Sequence, residues 1–179
     1  MTTSKPRACG EEGKTPAGPA PVLEVTVHGR PEGQGNLKGG AGGRLRHANS
    51  TRLRAWRDLI AWHVMQETGR HYHTTAPRAR RDGPCALCRT PRARHALLLG
   101  AVALDALIVV PAPATVTRPY PTTRSASDWD HYARAVSDAL TGLVYVDDSQ
   151  IVDGRLRKAY PGPGTLPEPG AVIRVWEVP

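Results

Sequence analysis

Phenylalanine is absent from this 179-residue chain, so the core has to be filled by Val, Leu, Ala and the four tryptophans. Cysteine occurs three times, an odd number that argues against a disulfide framework and for a reducing cytoplasm. No apolar run reaches the roughly 18 residues of a membrane span, and the N-terminus shows no signal-peptide core. Lysine is also scarce. Four of the 24 basic residues are Lys, at 5, 14, 38 and 158, which suits an arginine-heavy, GC-rich genome.

What is present in excess is positive charge. Lys and Arg number 24 against 16 Asp and Glu, a formal net charge of +8. That balance favours a polyanionic partner, most simply nucleic acid, with genomic arginine bias as the plain alternative. Gly and Pro, at 18 and 17, make up about a fifth of the chain and imply long loops. The length suits one domain with tails.

Residues 1–21 are polar and rich in Pro, Gly and Thr, and read as a disordered tail ahead of a single domain over 22–179. Residues 22–28 alternate and are β-branched, the pattern of a first strand. Residues 29–47 form a Gly-rich loop carrying Arg30, Lys38, Arg44, Arg46 and His47. No Gly-Lys-Ser/Thr follows its glycines, so it is either a basic flap over nucleic acid or a plain flexible loop. Asn49, Ser50 and Thr51 offer caps for a helix to about Glu67, with Leu53, Trp56, Ile60 and Val64 as its apolar stripe. Arg52, Arg54 and Arg57 lie off that stripe, on a solvated face or against phosphates.

A basic, Pro-containing insertion occupies 71–94, and residues 96–110 are apolar except for Asp105, as in a buried central strand or two. A second helix is expected over 127–142, with Ser127 as N-cap, Gly142 as C-cap and a stripe of Trp129, Ala133, Val136, Leu140 and Leu143. A short strand at 143–146, a turn at 147–149 and strands at 150–160 and 171–178 complete the reading. The order implies an α+β fold, a small mixed sheet with two main helices packed on one face.

Three carboxylates stand out against the basic background: Asp128 and Asp130 at the helix start, and Asp148 in an Asp-Asp-Ser-Gln turn. Hard cations such as Mg²⁺ take a few carboxylates plus water and substrate phosphate. Metal-assisted phosphodiester hydrolysis uses that arrangement. Capping and turn chemistry account for the same residues without a metal, and Asp130, Arg134 and Asp138 also have the spacing of helix ion pairs.

The segments Asp128-Trp129-Asp130-His131, Ala135 to Gly142 and Asp147-Asp148-Ser149-Gln150-Ile151-Val152 together resemble the signature of the RusA family of Holliday-junction resolvases. The resemblance extends to Arg155, Arg157, Lys158, Tyr160 and the closing strand, and more loosely to the first strand and the Gly-Arg-Pro…Gln-Gly stretch at 29–35. It implies a small α+β homodimer of phage or prophage type that cuts four-way DNA junctions with Mg²⁺, or with Mn²⁺. By position, Asp128, Asp130 and Asp148 look like the metal-binding catalytic carboxylates, and Arg134 takes the place of the family's catalytic lysine. His131 stands at the family's Asn, and His131, Asp147 and Gln150 look like residues supporting the ligands. Lys38, Arg44, Arg46, Arg52, Arg155, Arg157 and Lys158 are the DNA-binding candidates. Arginine keeps the charge of lysine but does not readily give up a proton. The two departures leave open a related protein that binds branched DNA with weakened chemistry.

Cys85 and Cys88 have zinc-ligand spacing, with His71 and His73 nearby. A structural Zn²⁺ in the 71–94 insertion, or incidental thiols in a loop, both fit. A zinc-stabilised regulatory or interaction module is the third functional class this composition allows.

Overall fold

Only every second side chain of residues 23–28 is buried, so the segment forms a half-buried strand, β1 (Leu23–His28). The computed structural model of the chain describes residues 19–35, 37–39, 45–47, 49–69, 97–116, 118–123 and 126–179. Two short strands, β2 (Leu37–Gly39) and β3 (Leu45–His47), pair antiparallel inside the stretch read as a Gly-rich loop, flap or otherwise. They precede helix α1 (Ser50–Thr68). The apolar run then supplies one strand, β4 (Val102–Val109). Helix α2 (Trp129–Leu140), a single 3₁₀ turn (Asp148–Gln150), β5 (Ile151–Ala159) and β6 (Gly170–Glu177) follow.

The main sheet has the order β1-β6-β4-β5. β4 and β5 are parallel and the other pairs antiparallel, giving the mixed sheet of an α+β fold. β4 lies between β6 and β5, and its buried residues alternate with half-buried ones along most of its length. Register then sorts the faces. Leu23, Val175 and Leu104 form one row, Val25, Ile173, Ala106 and Leu156 the next, and Val27, Ala171 and Ile108 a third. All of these are buried, in one cluster with both helices. The opposite face carries Glu24, Arg174, Asp105 and Arg157, linked by ion pairs at 2.8 Å (Arg174 to Glu24), 3.9 Å (Arg174 to Asp105) and 3.0 Å (Arg157 to Asp105).

α1 buries Leu53, Trp56, Ile60, Ala61 and Val64, the expected stripe with one addition, and leaves Trp62 about half exposed. It ends at Gly69, whose left-handed backbone lets its N–H bond the Met65 carbonyl. α2 departs from expectation at both ends. Its N-cap is Asp128, one residue after Ser127. Its buried face is Tyr132, Ala135, Val136, Ala139 and Leu140, while Trp129 is 49% exposed. Residues 143–146 form no strand. Gly142, at φ 76°, reverses the chain, and the Leu143 and Val144 N–H groups bond the Leu140 carbonyl. Left-handed backbone is open to glycine at no steric cost, so this turn depends on it. Arg57 of α1, expected on a solvated face or against phosphates, forms an ion pair with Asp138 of α2.

Residues 1–18 of the expected tail and the 71–94 insertion lie outside the described residues. Pro19 already belongs to the fold, since its carbonyl accepts a 2.9 Å bond from the Trp176 indole. Among the described residues no helix is long and apolar enough to cross a membrane.

Ile60 sits at 0% exposure in the helix–sheet core. Ile60→Ala is expected to lower stability by about 2–5 kcal/mol, the cost of lost transfer energy plus an unfilled cavity. Urea unfolding measures it, and a loss under about 1 kcal/mol would place Ile60 outside the load of the core.

Candidate active site

Asp128 is extended (φ −64°, ψ 159°) and the next residue begins α2. This change of backbone direction lets side chains two apart in sequence converge. One ligand atom each from Asp128, Asp130 and His131 lie within 4.8 Å of one another. Asp128 is exposed, and the other two are half-buried. The Asp128 carboxylate makes no capping bond to the helix. The helix N-terminus adds a favourable field for negative charge.

Two hydrogen bonds with β5, one donated from each side, seat this end of the helix. The Trp129 indole donates to the Leu156 carbonyl at 2.8 Å, and the Lys158 ammonium to the Ser127 carbonyl at 3.0 Å. Lys158 is therefore anchored beside the acids. Beneath them, burial pushes the Tyr132 phenol above its usual range, against an opposing hydrogen bond with Ser127. Arg134, one turn on, places its guanidinium 3.4 Å from the Asp130 carboxylate, with both groups largely exposed.

Asp148 stands elsewhere. It follows the C-terminal end of α2, whereas Asp128 precedes the other end. The twelve residues of α2 rise about 18 Å, and the five steps along β5 from Ile151 to Leu156, which holds Trp129, cover about 17 Å. Asp148 is not part of the group that Asp128, Asp130 and His131 form. Within one chain the structure brings together Asp128, Asp130 and His131, with Arg134 and Lys158 beside them, and does not bring in Asp148.

The turn holding Asp148 is nevertheless built with care. The Asp147 carboxylate accepts the Ser149 N–H at 3.0 Å, and hydrogen bonds from Ser149 hold its carboxyl below the usual range. The Gln150 amide oxygen accepts the Val146 and Asp147 N–H groups at 2.8 and 3.0 Å. Its nitrogen donates to the Leu98 and Gly100 carbonyls at 3.0 and 2.7 Å. All four hydrogen-bonding positions of the amide are filled, tying the turn to the lead-in of β4. Tyr145 is buried behind it and donates to the Ser137 carbonyl at 3.0 Å. Burial, then the charges of Asp148 and Asp138, push its phenol well up.

The DNA-binding candidates separate into groups. Lys38 and Arg46 are register partners in β2 and β3, and their side chains, like all of Arg44, lie outside the described residues. Arg52 is exposed at the start of α1, 3.4 Å from Glu32. Arg155 and Arg157 flank buried Leu156, so alternation turns them to the sheet face opposite α2. Lys158 alone of the β5 cations faces the acids. Cys85, Cys88, His71 and His73 lie outside the described residues. Sequence reasoning gave no site role to Gly33 and Gln34, which pack on the start of α2, or to Glu32, which bonds Asn49 and Arg52, because nothing in a Gly-rich loop announces its partner.

Residues 87–168 match the family model described as endodeoxyribonuclease RusA, a little under half of the chain. The match contains Asp128, Asp130, His131, Asp148 and Lys158. A similar protein is the uncharacterized protein YqaN of Bacillus subtilis (strain 168), 32% identical over 87 residues. The similarity covers 42% of this chain and 60% of that relative's length.

Gln150→Glu keeps the size of the side chain but sets a carboxylate against two carbonyls. It is expected to cost about 1–3 kcal/mol, at least as much as Gln150→Ala. Chemical denaturation at neutral pH measures both, and wild-type stability of the Glu variant would contradict the four-bond assignment.

Proposed function

We propose that this chain, whose RusA-family segment at 87–168 carries the Asp128, Asp130 and His131 group, is a divalent-metal-dependent endonuclease that resolves four-way DNA junctions. The observation that carries this reading is the convergence of two carboxylates and an imidazole within 4.8 Å at one helix start. That donor set fits the ion. Two hard oxygens suit Mg²⁺ or Mn²⁺, and the imidazole nitrogen weights the choice toward Mn²⁺. When bound, such an ion activates water and neutralises charge on the phosphoryl group in flight.

The protein's own side chains then have separate tasks. Asp128, Asp130 and His131 hold the ion. Lys158, fixed by its bond to Ser127, and Arg134, beside Asp130, offer cations for the scissile phosphate. Arginine serves that role as a charge, without moving a proton. The net charge of +8 draws in the polyanion, so binding weakens steeply with salt. Arg155 and Arg157 on the far sheet face, and the basic segment around β2 and β3, are the parts we assign to DNA outside the cleavage point.

The distance of Asp148 bears on assembly. One chain does not join it to the other acids, but a homodimer can. We therefore assign each site Asp128, Asp130 and His131 from one chain and Asp148 of the partner subunit.

Subunit mixing tests the whole reading. Asp130→Asn and Asp148→Asn are each expected to abolish cleavage of a synthetic four-way junction with Mg²⁺ or Mn²⁺, at least 100-fold, with junction binding retained. Refolded together, they are expected to recover cleavage, because half of the mixed dimers' sites contain neither change. Recovery absent from the mixture places Asp148 in its own chain's site. Wild-type rates for Asp130→Asn end the nuclease assignment. A wild-type chain that binds the junction without cutting it with either ion would make this a binding protein on the same fold.

A further inference from the structure

Asn49 occupies the N-cap position of α1, yet its side chain does not cap the helix. A capping Asn ordinarily stabilises a helix by about 1 kcal/mol. Here the amide is turned the other way. Its nitrogen donates to the Glu32 carboxylate at 2.6 Å and to the Gly33 carbonyl at 2.7 Å, and its oxygen accepts the Gly35 N–H at 3.1 Å. Reversing the amide would break all three bonds, so the network fixes which atom is which.

The segment held this way is the wall of the metal group. A Cβ on Gly33 would lie 2.5 Å from the Ser127 Cβ, 2.7 Å from its Oγ and 3.0 Å from the His131 Cβ. Only glycine allows backbone so near the start of α2. The Gln34 N–H donates to the His131 carbonyl at 2.9 Å. Gly35 closes on Asn49 itself, where a Cβ would come within 2.6 Å of Oδ1. The other Glu32 oxygen meets Arg52 at 3.4 Å. Asn49 thus links α1 to a loop that bears directly on Ser127 and His131.

We propose that Asn49 is a positioning residue: it clamps residues 32–35 against the start of α2 and so fixes His131 relative to Asp128 and Asp130. This rests on the reading of those three residues as the ion's ligands. Groups that orient metal ligands from behind typically contribute ten- to a hundredfold in affinity. Asn49 works at one further remove, through the loop, so an effect of about tenfold is expected.

The test is calorimetric titration of Mn²⁺ into the full-length protein without DNA, with hydrogen exchange followed at the Gln34 and Gly35 amides. Asn49→Asp is isosteric but sets a carboxylate against Glu32 and the Gly33 carbonyl. It is expected to weaken Mn²⁺ binding about tenfold and speed exchange at both amides. Adding Glu32→Gln, which supplies a donor to the new carboxylate, is expected to recover most of the affinity. Gly33→Ala leaves Asn49 intact but displaces the wall, and is expected to weaken Mn²⁺ similarly, which keeps the test open if Asn49→Asp fails to fold. A purely structural role predicts a lower melting temperature with Mn²⁺ affinity unchanged in either folded variant, and that result overturns the proposal. Asp130→Asn separates the two layers. If it binds Mn²⁺ like the wild type, the metal assignment itself fails and the clamp with it. If it loses Mn²⁺ while both loop variants keep it, only the clamp fails.

Discussion

The arrangement depends on how the first turn of α2 is fastened to the edge strand β5. The Trp129 indole and the Lys158 ammonium reach across from opposite partners and close two hydrogen bonds, to Leu156 and Ser127. A helix start left to itself frays, since its first four N–H groups have no partners within the helix. Fastened, it presents Asp128 and Asp130 at a set angle, and the change from extended to helical backbone brings His131 onto the same point. The exposure of Trp129 follows from this. Its N–H is committed to the strand backbone, and the core is filled three residues later by Tyr132.

Much of this was legible in the chain. Alternation located β1 and β6 to within a residue, and the three- and four-residue spacing of Leu53, Trp56, Ile60 and Val64 gave the buried face of α1. The resemblance named the RusA family, and the family model matches residues 87–168. What sequence could not supply was side-chain commitment. Trp129 fell on a helical stripe by spacing, but a hydrogen bond to a strand far along the chain drew it outward. Asn49 looked like a cap, and its amide went instead to a loop fourteen to seventeen residues back. Leu143 to Val146 had strand-like residues, but Gly142 turned the chain too tightly for a strand to begin.

Position along an element mattered as much as residue type. Arg155, Arg157 and Lys158 appear in sequence as one basic cluster. The pleat of β5 divides them, sending two to the open face with Asp105 and one to the acids. Asp128 and Asp148 appear as parts of one signature, yet α2 holds them at its two ends. The same helix that gives the first acids their geometry keeps the last one away within a single chain. In the proposed homodimer a second copy of the protein brings it back.

The claim on which the rest turns is that Asp128, Asp130 and His131 ligate one ion. Anomalous scattering from crystals soaked in Mn²⁺ addresses it directly. A manganese peak is expected within direct coordination distance of one carboxylate oxygen each of Asp128 and Asp130 and of a nitrogen of His131. A peak bound through other residues, with those three side chains unengaged, would contradict it.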